Sequence, residues 1–302
     1  MSNNATNLGL LQNAHEDGDL SSGSLNALTK IPDIGAIIQQ GLGVPIDSVR
    51  SSEVILLNIL VDDSGSIQGA GNEQPIRDGH NMLIQALLES KQQDNIEVIN
   101  RYLNGKVLYP YTPLSLVPKM DKRNYDANGG TPLFDETAKL LATVIAKAQD
   151  FKNNGIQVRT ITLILTDGDD CHSHTSTAAD VSKIVTDMLR SEDHIVAAMG
   201  FDNGSCNFKK VFSDMGIPDR WILTANANPS EIRKAFQVFS QSAVRASQSA
   251  AHFSQTSLGG FGNWDVIKTW IFMRVFRHRD YTGDFWRIKY ESNLWFQKQS
   301  VW

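Results

Sequence analysis

Val54-Ile55-Leu56-Leu57-Asn58-Ile59-Leu60-Val61-Asp62-Asp63-Ser64-Gly65-Ser66 passes from an almost continuous apolar run into a cluster of short, oxygen-bearing side chains. The apolar part has the length of a strand, and a strand without polar alternation is one covered on both faces. Such strands belong to mainly parallel sheets packed between helices. Asp62, Ser64 and Ser66 follow at positions i, i+2 and i+4, a spacing at which a tight turn can aim three short side chains at one point. Gly65 is expected to let that turn curl without a Cβ clash.

Working outward, residues 74–90 place Ile76, Leu83, Ala86 and Leu87 at amphipathic helical spacing. Residues 96–102 and 106–109 flank Asn104-Gly105, a strong hairpin signal that predicts an antiparallel pair at one edge of the sheet. Residues 132–148 read as a helix with Thr131 at its N-cap and Pro132 in its first turn. Residues 158–166 form a second apolar strand, 176–190 a helix, 195–201 a buried strand, 207–215 a short helix, 221–224 a short strand and 229–246 a final helix. The expected fold is a doubly wound (Rossmann-like) α/β domain. Its six-stranded sheet is mostly parallel with one antiparallel edge strand, and helices cover both faces. In such folds ligands gather at the carboxyl ends of the strands, and Asp62 and Asp167 both stand where an apolar strand ends.

Two further segments share the chemistry of the first. Gly129-Gly130-Thr131-Pro132 offers a hydroxyl, and Leu165-Thr166-Asp167-Gly168 a second carboxylate. Two carboxylates and three hydroxyls are hard oxygen ligands, suited to an octahedral Mg²⁺ that keeps some of its water. In this order and context the three segments resemble the von Willebrand factor type A domain and its metal-ion-dependent adhesion site, over about residues 52–248. The closest resemblance is to intracellular bacterial members of that family. Carried over position by position, it implies that Asp62, Ser64, Ser66, Thr131 and Asp167 hold Mg²⁺, with Mn²⁺ or Ca²⁺ as substitutes. It also implies metal-dependent binding of a protein partner that presents an Asp or Glu carboxylate. An adaptor in a multi-protein system is the expected role, with an AAA-type ATPase or a kinase–phosphatase module as partner. The alternative reading is a Mg²⁺-dependent hydrolase or phosphatase using the same aspartates. The sequence shows no G-x-S-x-G elbow and no Gly-Lys-Ser/Thr phosphate loop, and no histidine stands near Ser64 in sequence except His80. No enzymatic activity is therefore expected.

Asp63, Asp169 and Asp170 enlarge the acidic cluster and read as a solvated loop face. Cys171-His172-Ser173-His174 together with Cys206 invites a zinc proposal, but Cys206 has no adjacent second ligand. An ordinary polar loop is the expectation.

A chain of 302 residues with 41% hydrophobic and 20% charged residues can bury a sizeable core. A net charge of −5 argues against nucleic acid as a partner. Two cysteines do not make a disulfide framework, and with no signal-like N-terminus the expected location is the cytoplasm. Residues 1–50 are expected to be a partly ordered N-terminal arm docking through Ile34-Gly35-Ala36-Ile37-Ile38, residues 51–250 the domain, and residues 251–302 an aromatic-rich extension. Residues 261–302 hold five of the six tryptophans and seven Lys/Arg against four Asp/Glu, a mixture that suits contact with a membrane surface.

Overall fold

The computed structural model describes residues 2–43, 45, 51–202, 204, 206–248, 253, 260 and 261; the expected aromatic extension lies almost wholly outside them. Six strands form one sheet: β1 (Glu53–Val61), β2 (Ile96–Tyr102), β3 (Val107–Pro113), β4 (Gln157–Thr166), β5 (His194–Asp202) and β6 (Ile222–Asn226). Their order is β3-β2-β1-β4-β5-β6. β1 runs parallel to both β2 and β4, β4 to β5, and β5 to β6, while β3 is the single antiparallel strand at one edge. The expected hairpin turn is present, with Gly105 at φ 88 in the left-handed region that a glycine enters without strain.

Between the strands lie α4 (Gly65–Gly69), α5 (Glu73–Leu88), α6 (Leu133–Asn153), α7 (Ala178–Arg190) and α8 (Phe208–Asp214), and α9 (Pro229–Gln248) follows β6. Helices cover both faces: α5 and α9 pack on each other, and α6 lies on β1 and β4 beside α7. Every residue of β1 from Val54 to Val61 is buried, as its unbroken apolar run requires. Each of its Leu and Ile side chains contributes about 1.5–3 kcal/mol by leaving water. The one polar residue within that run, Asn58, is satisfied by Thr162 Oγ1 at 3.1 Å, by the Ile161 carbonyl and by the Tyr111 hydroxyl.

The N-terminal segment corrects the expectation of a partly ordered arm. It contains three helices, α1 (Ser2–Glu16), α2 (Ser22–Thr29) and α3 (Ile34–Leu42). α1 and α3 pack on α6, and α2 packs on α7. Ile34 and Ile38 are buried, so the patch at 34–38 does dock. Leu10, Leu11, Ala14, Leu20, Ala27 and Leu28 are buried as well. Asp187 of α7 accepts hydrogen bonds from Ser21 N–H (2.8 Å) and the Ser24 hydroxyl (2.5 Å), tying the start of α2 to α7.

Thr131 is not the N-cap of α6. The helix starts at Leu133 with Pro132 in the cap position and no side-chain cap of its own. Its free N–H groups are met from another loop: Phe134 N–H donates to Asp170 Oδ1 (3.1 Å) and Asp135 N–H to Ser173 Oγ (2.9 Å). That arrangement satisfies the helix start and leaves the Thr131 hydroxyl out of capping. Gly65 is a second correction, since a Cβ there would meet nothing within 4 Å and its φ is not positive; the turn does not demand glycine.

Candidate metal centre

Three loops meet beyond the carboxyl ends of β1 and β4. Asp62 N–H donates to the Leu165 carbonyl (3.0 Å), extending the β1–β4 ladder past the end of β1. Ser64 and Gly129 form an isolated parallel bridge, in which Gly65 N–H donates to Gly129 O (3.0 Å) and Gly129 N–H to Asp63 O (2.9 Å). These backbone bonds hold the first loop against β4 and against the loop before α6 before any side chain is considered.

The side chains then converge. Ser64 Oγ and Ser66 Oγ lie 2.9 Å apart, and the Ser66 hydroxyl donates to Asp167 Oδ1 at 2.6 Å. Asp62 is fully buried. Its Oδ1 accepts Ser64 N–H (2.8 Å), and its Oδ2 accepts the Thr166 hydroxyl (2.6 Å) and Asp167 N–H (3.3 Å). The Tyr125 hydroxyl donates to the Asp62 carbonyl at 2.6 Å. Thr131 is buried beside this group, its methyl 3.9 Å from where a Cβ on Gly168 would stand. Among the described residues its hydroxyl makes no hydrogen bond. Ser66 is exposed, so the cluster opens to solvent on that side. The structure thus brings Asp62, Ser64, Ser66 and Asp167 into one hydrogen-bonded set and places Thr131 next to it.

The electrostatics are those of negative charge without a counter-ion. No Lys or Arg pairs with Asp62, Asp63 or Asp167 among the described residues. Burial raises the carboxyl of Asp62 above the ordinary range, opposed by its hydrogen bonds from Ser64 and Thr166. Burial pushes Asp167 up to about 6, with the Asp62 charge adding to the rise. Asp63 is pushed up to about 7, again chiefly by burial. Asp63 also corrects the expectation of a solvated face: it is 1% exposed. Its Oδ1 accepts Asn104 N–H at 3.0 Å, and its Oδ2 is buried with no partner. Carboxylates buried in this way are costly to ionise unless a positive charge joins them. A divalent cation would supply that charge, and the donor set of carboxylates and hydroxyls fits a hard ion. No group of three or more His, Cys, Asp or Glu side chains placed to hold a metal exists among the described residues. Binding here would therefore depend on the hydroxyls, and Cys171, His172, His174 and Cys206 are not gathered into such a group.

Sequence reading missed several residues that shape the centre. Thr166 and Tyr125 act on Asp62 as described. His172 accepts Thr131 N–H through Nδ1 at 2.9 Å, and Cys171 N–H donates to the Thr131 carbonyl at 3.1 Å. The Asp135 carboxylate accepts the N–H groups of His174, Thr175 and Ser176. The expected ordinary polar loop at 171–174 is instead, with its flanking residues, a set of specific attachments to the start of α6. Only the Ser/Asp/Thr composition of the two segments hinted at them. His80, weighed as a base for Ser64, is buried with Nε2 2.9 Å from the Tyr109 hydroxyl.

No protein-family model and no curated protein sequence matches the chain. Among solved structures it is similar to proximal thread matrix protein 1 from the mussel byssus, at 14% identity and a TM-score of 0.41 over 65% of this chain and 48% of that one. One form of that protein was solved with a zinc-occupied MIDAS motif. It is also similar to the pilus adhesin SpaC from Lactobacillus rhamnosus GG, at 11% identity and a TM-score of 0.46 over 64% and 30% of the two chains. A third similarity is to manganese-loaded TRAP protein of Plasmodium vivax, at 20% identity and a TM-score of 0.36 over 61% and 74%. The chain spans less than half the length of the first two proteins. At these identities and scores the likenesses carry no weight for the reading of the site, which stands on its own geometry.

Proposed function

We propose that the protein is a metal-dependent interaction module. Asp62, Ser64, Ser66, Thr131 and Asp167 would hold one divalent cation, Mg²⁺ in the first instance. When bound, that cation supplies an electrophilic centre for a carboxylate oxygen of a partner protein. The observation that carries the reading is the continuous set Ser64–Ser66–Asp167, closed at 2.9 and 2.6 Å beside the buried Asp62 and without a basic partner among the described residues.

Each residue has a separate task. Asp62, gripped by Ser64 N–H, Thr166 and Asp167 N–H, is the fixed anionic floor. Ser66 stands at the exposed mouth, where a ligand from outside arrives. Ser64 and Thr131 contribute neutral oxygens, so the site's charge stays low enough to leave a cation attractive to a further carboxylate. What supports a binding role over catalysis is that, among the described residues, Ser64 has no base beside it: its Oγ contacts Ser66 Oγ, and His80 is engaged with Tyr109. An intracellular adaptor role with an Asp- or Glu-bearing partner extends this reading. Capture of partners by the full chain in Mg²⁺ and in EDTA, compared with Thr131→Ala, tests it. A partner retained only in Mg²⁺ and lost with Thr131→Ala supports the proposal. Mg²⁺-dependent phosphoester turnover that disappears in Asp167→Ala would replace it with a hydrolase.

A further inference from the structure

We infer that His172 is a positioning residue for the metal centre, setting where the Thr131 oxygen stands; the inference rests on the metal reading above. Thr131 lies on the loop before α6, and among the described residues no hydrogen bond from that loop reaches its backbone. Both hydrogen bonds to its backbone come from the loop after β4: Thr131 N–H to His172 Nδ1 at 2.9 Å, and Cys171 N–H to Thr131 O at 3.1 Å. Because the backbone nitrogen can only donate, Nδ1 must be the bare nitrogen of the ring, and the proton of the neutral imidazole sits on Nε2. The ring also rests against the preceding residue. A Cβ on Gly130 would lie 3.0 Å from both Cγ and Nδ1 of His172, so a side chain at 130 would push the ring by a few tenths of an ångström.

Asp167 and His172 belong to the same loop. A cation bound between Asp167 and Thr131 therefore depends on one loop for a carboxylate and, through the imidazole, for the placement of a hydroxyl on another. Losing the ring frees the backbone on one side of Thr131 while removing no ligand. The Cys171 bond alone fixes the carbonyl but not the orientation of the preceding peptide. Hydroxyl ligands are weak and neutral, so their contribution depends on being held in position.

The test is Mn²⁺ affinity of the full chain, measured by titration calorimetry for wild type, His172→Ala, His172→Asn and Asp62→Ala, with circular dichroism confirming the fold. Asparagine can place an amide oxygen near the site of Nδ1. The expected result is a loss of about tenfold or more for His172→Ala and recovery to within about threefold of wild type for His172→Asn. A His172→Ala affinity within about threefold of wild type overturns the inference, as does an equal loss in both variants. Wild type that takes up no Mn²⁺, or Asp62→Ala that binds as well as wild type, overturns the metal reading itself and this inference with it. Gly130→Ala gives an independent arm, because it displaces the ring without altering it. It should weaken Mn²⁺ binding in the wild-type background and add little in the His172→Ala background. Additive losses in the double variant overturn the inference.

Discussion

The Thr166 hydroxyl donates to Asp62 Oδ2 at 2.6 Å, joining the last residue of β4 to the first residue beyond β1. It also accepts Gly168 N–H at 3.1 Å, so one hydroxyl orients the buried carboxylate and shapes the turn that carries Asp167. Thr166→Val keeps the shape and removes both bonds. The expected cost is about 1–3 kcal/mol for a buried acceptor left short of a partner, read as a lower urea midpoint in EDTA, together with weaker Mg²⁺ stabilisation.

Asp63 should make the metal-free protein less stable as pH rises toward neutrality. Its carboxyl is raised in the folded state to about 7 from an ordinary 3.8, so folding favours the protonated form. The associated stability is present in full below about pH 4 and is lost as pH rises through about 7. Asp63→Asn keeps an oxygen for Asn104 N–H and removes the charge. In EDTA the variant should gain on wild type steadily between pH 4 and 8, the gap being largest at the alkaline end. Urea unfolding at a series of pH values measures it, and a pH-independent gap would contradict the account.

His194 and His80 act in the opposite sense. Burial lowers His194 to about 3 and His80 to about 4, below the ordinary value of 6.5. The stability they protect is complete above pH 6.5 and is lost as pH falls below it. At pH 5 each contributes a loss of about 2 kcal/mol. His194 Nδ1 lies 2.7 Å from Thr160 Oγ1, and His194→Gln can keep a polar contact there without titrating. Thermal unfolding of that variant should show a shallower decline between pH 6.5 and 4.5 than wild type.

Arg101 and Glu136 form an ion pair at 2.6 Å with both side chains 4% exposed. It links the end of β2 to the first turns of α6. Arg101→Met leaves Glu136 with Lys139 alone, at a cost near the lower end of the 3–5 kcal/mol, roughly, seen when a buried pair is broken. Adding Glu136→Leu should restore part of it. A double variant no more stable than the single one would mean that Arg101 matters for packing rather than charge.

The sheet was legible because its evidence is local. The run from Val54 to Val61 announces a covered strand, Asn104-Gly105 announces the hairpin, and Asp62, Ser64 and Ser66 stand within one turn. The N-terminal helices were not, because their burial comes from distant partners. Leu10, Leu11 and Ala14 of α1 make a narrow apolar face among Asn, Gly and Ser. Its polar Asn7 is buried because its amide finds the Gly35 carbonyl at 2.9 Å. The same holds for the centre. The ligand candidates could be read from spacing, but Thr166, Tyr125 and His172 reach their targets across 104, 63 and 41 positions of sequence. No periodicity records such contacts. Thr131 was misread as a cap for a related reason, since its residue type is right for one and the true caps, Asp170 and Ser173, come from elsewhere.

The borrowed capping of α6 changes what kind of loop residues 169–176 form. Asp169, Cys171, His172 and His174 are exposed, and an exposed polar loop is ordinarily where a chain tolerates proteolytic nicking, grafted peptides or inserted domains. Here the same stretch closes the start of a 21-residue helix through Asp170, Ser173 and the Asp135 carboxylate. A cut between Asp170 and Ser173 would fray α6 from its first turn and release Thr131 with it. Surface engineering of this protein has freer ground on the exposed face of α8 around Lys209 and Lys210 than in the loop that looks most dispensable.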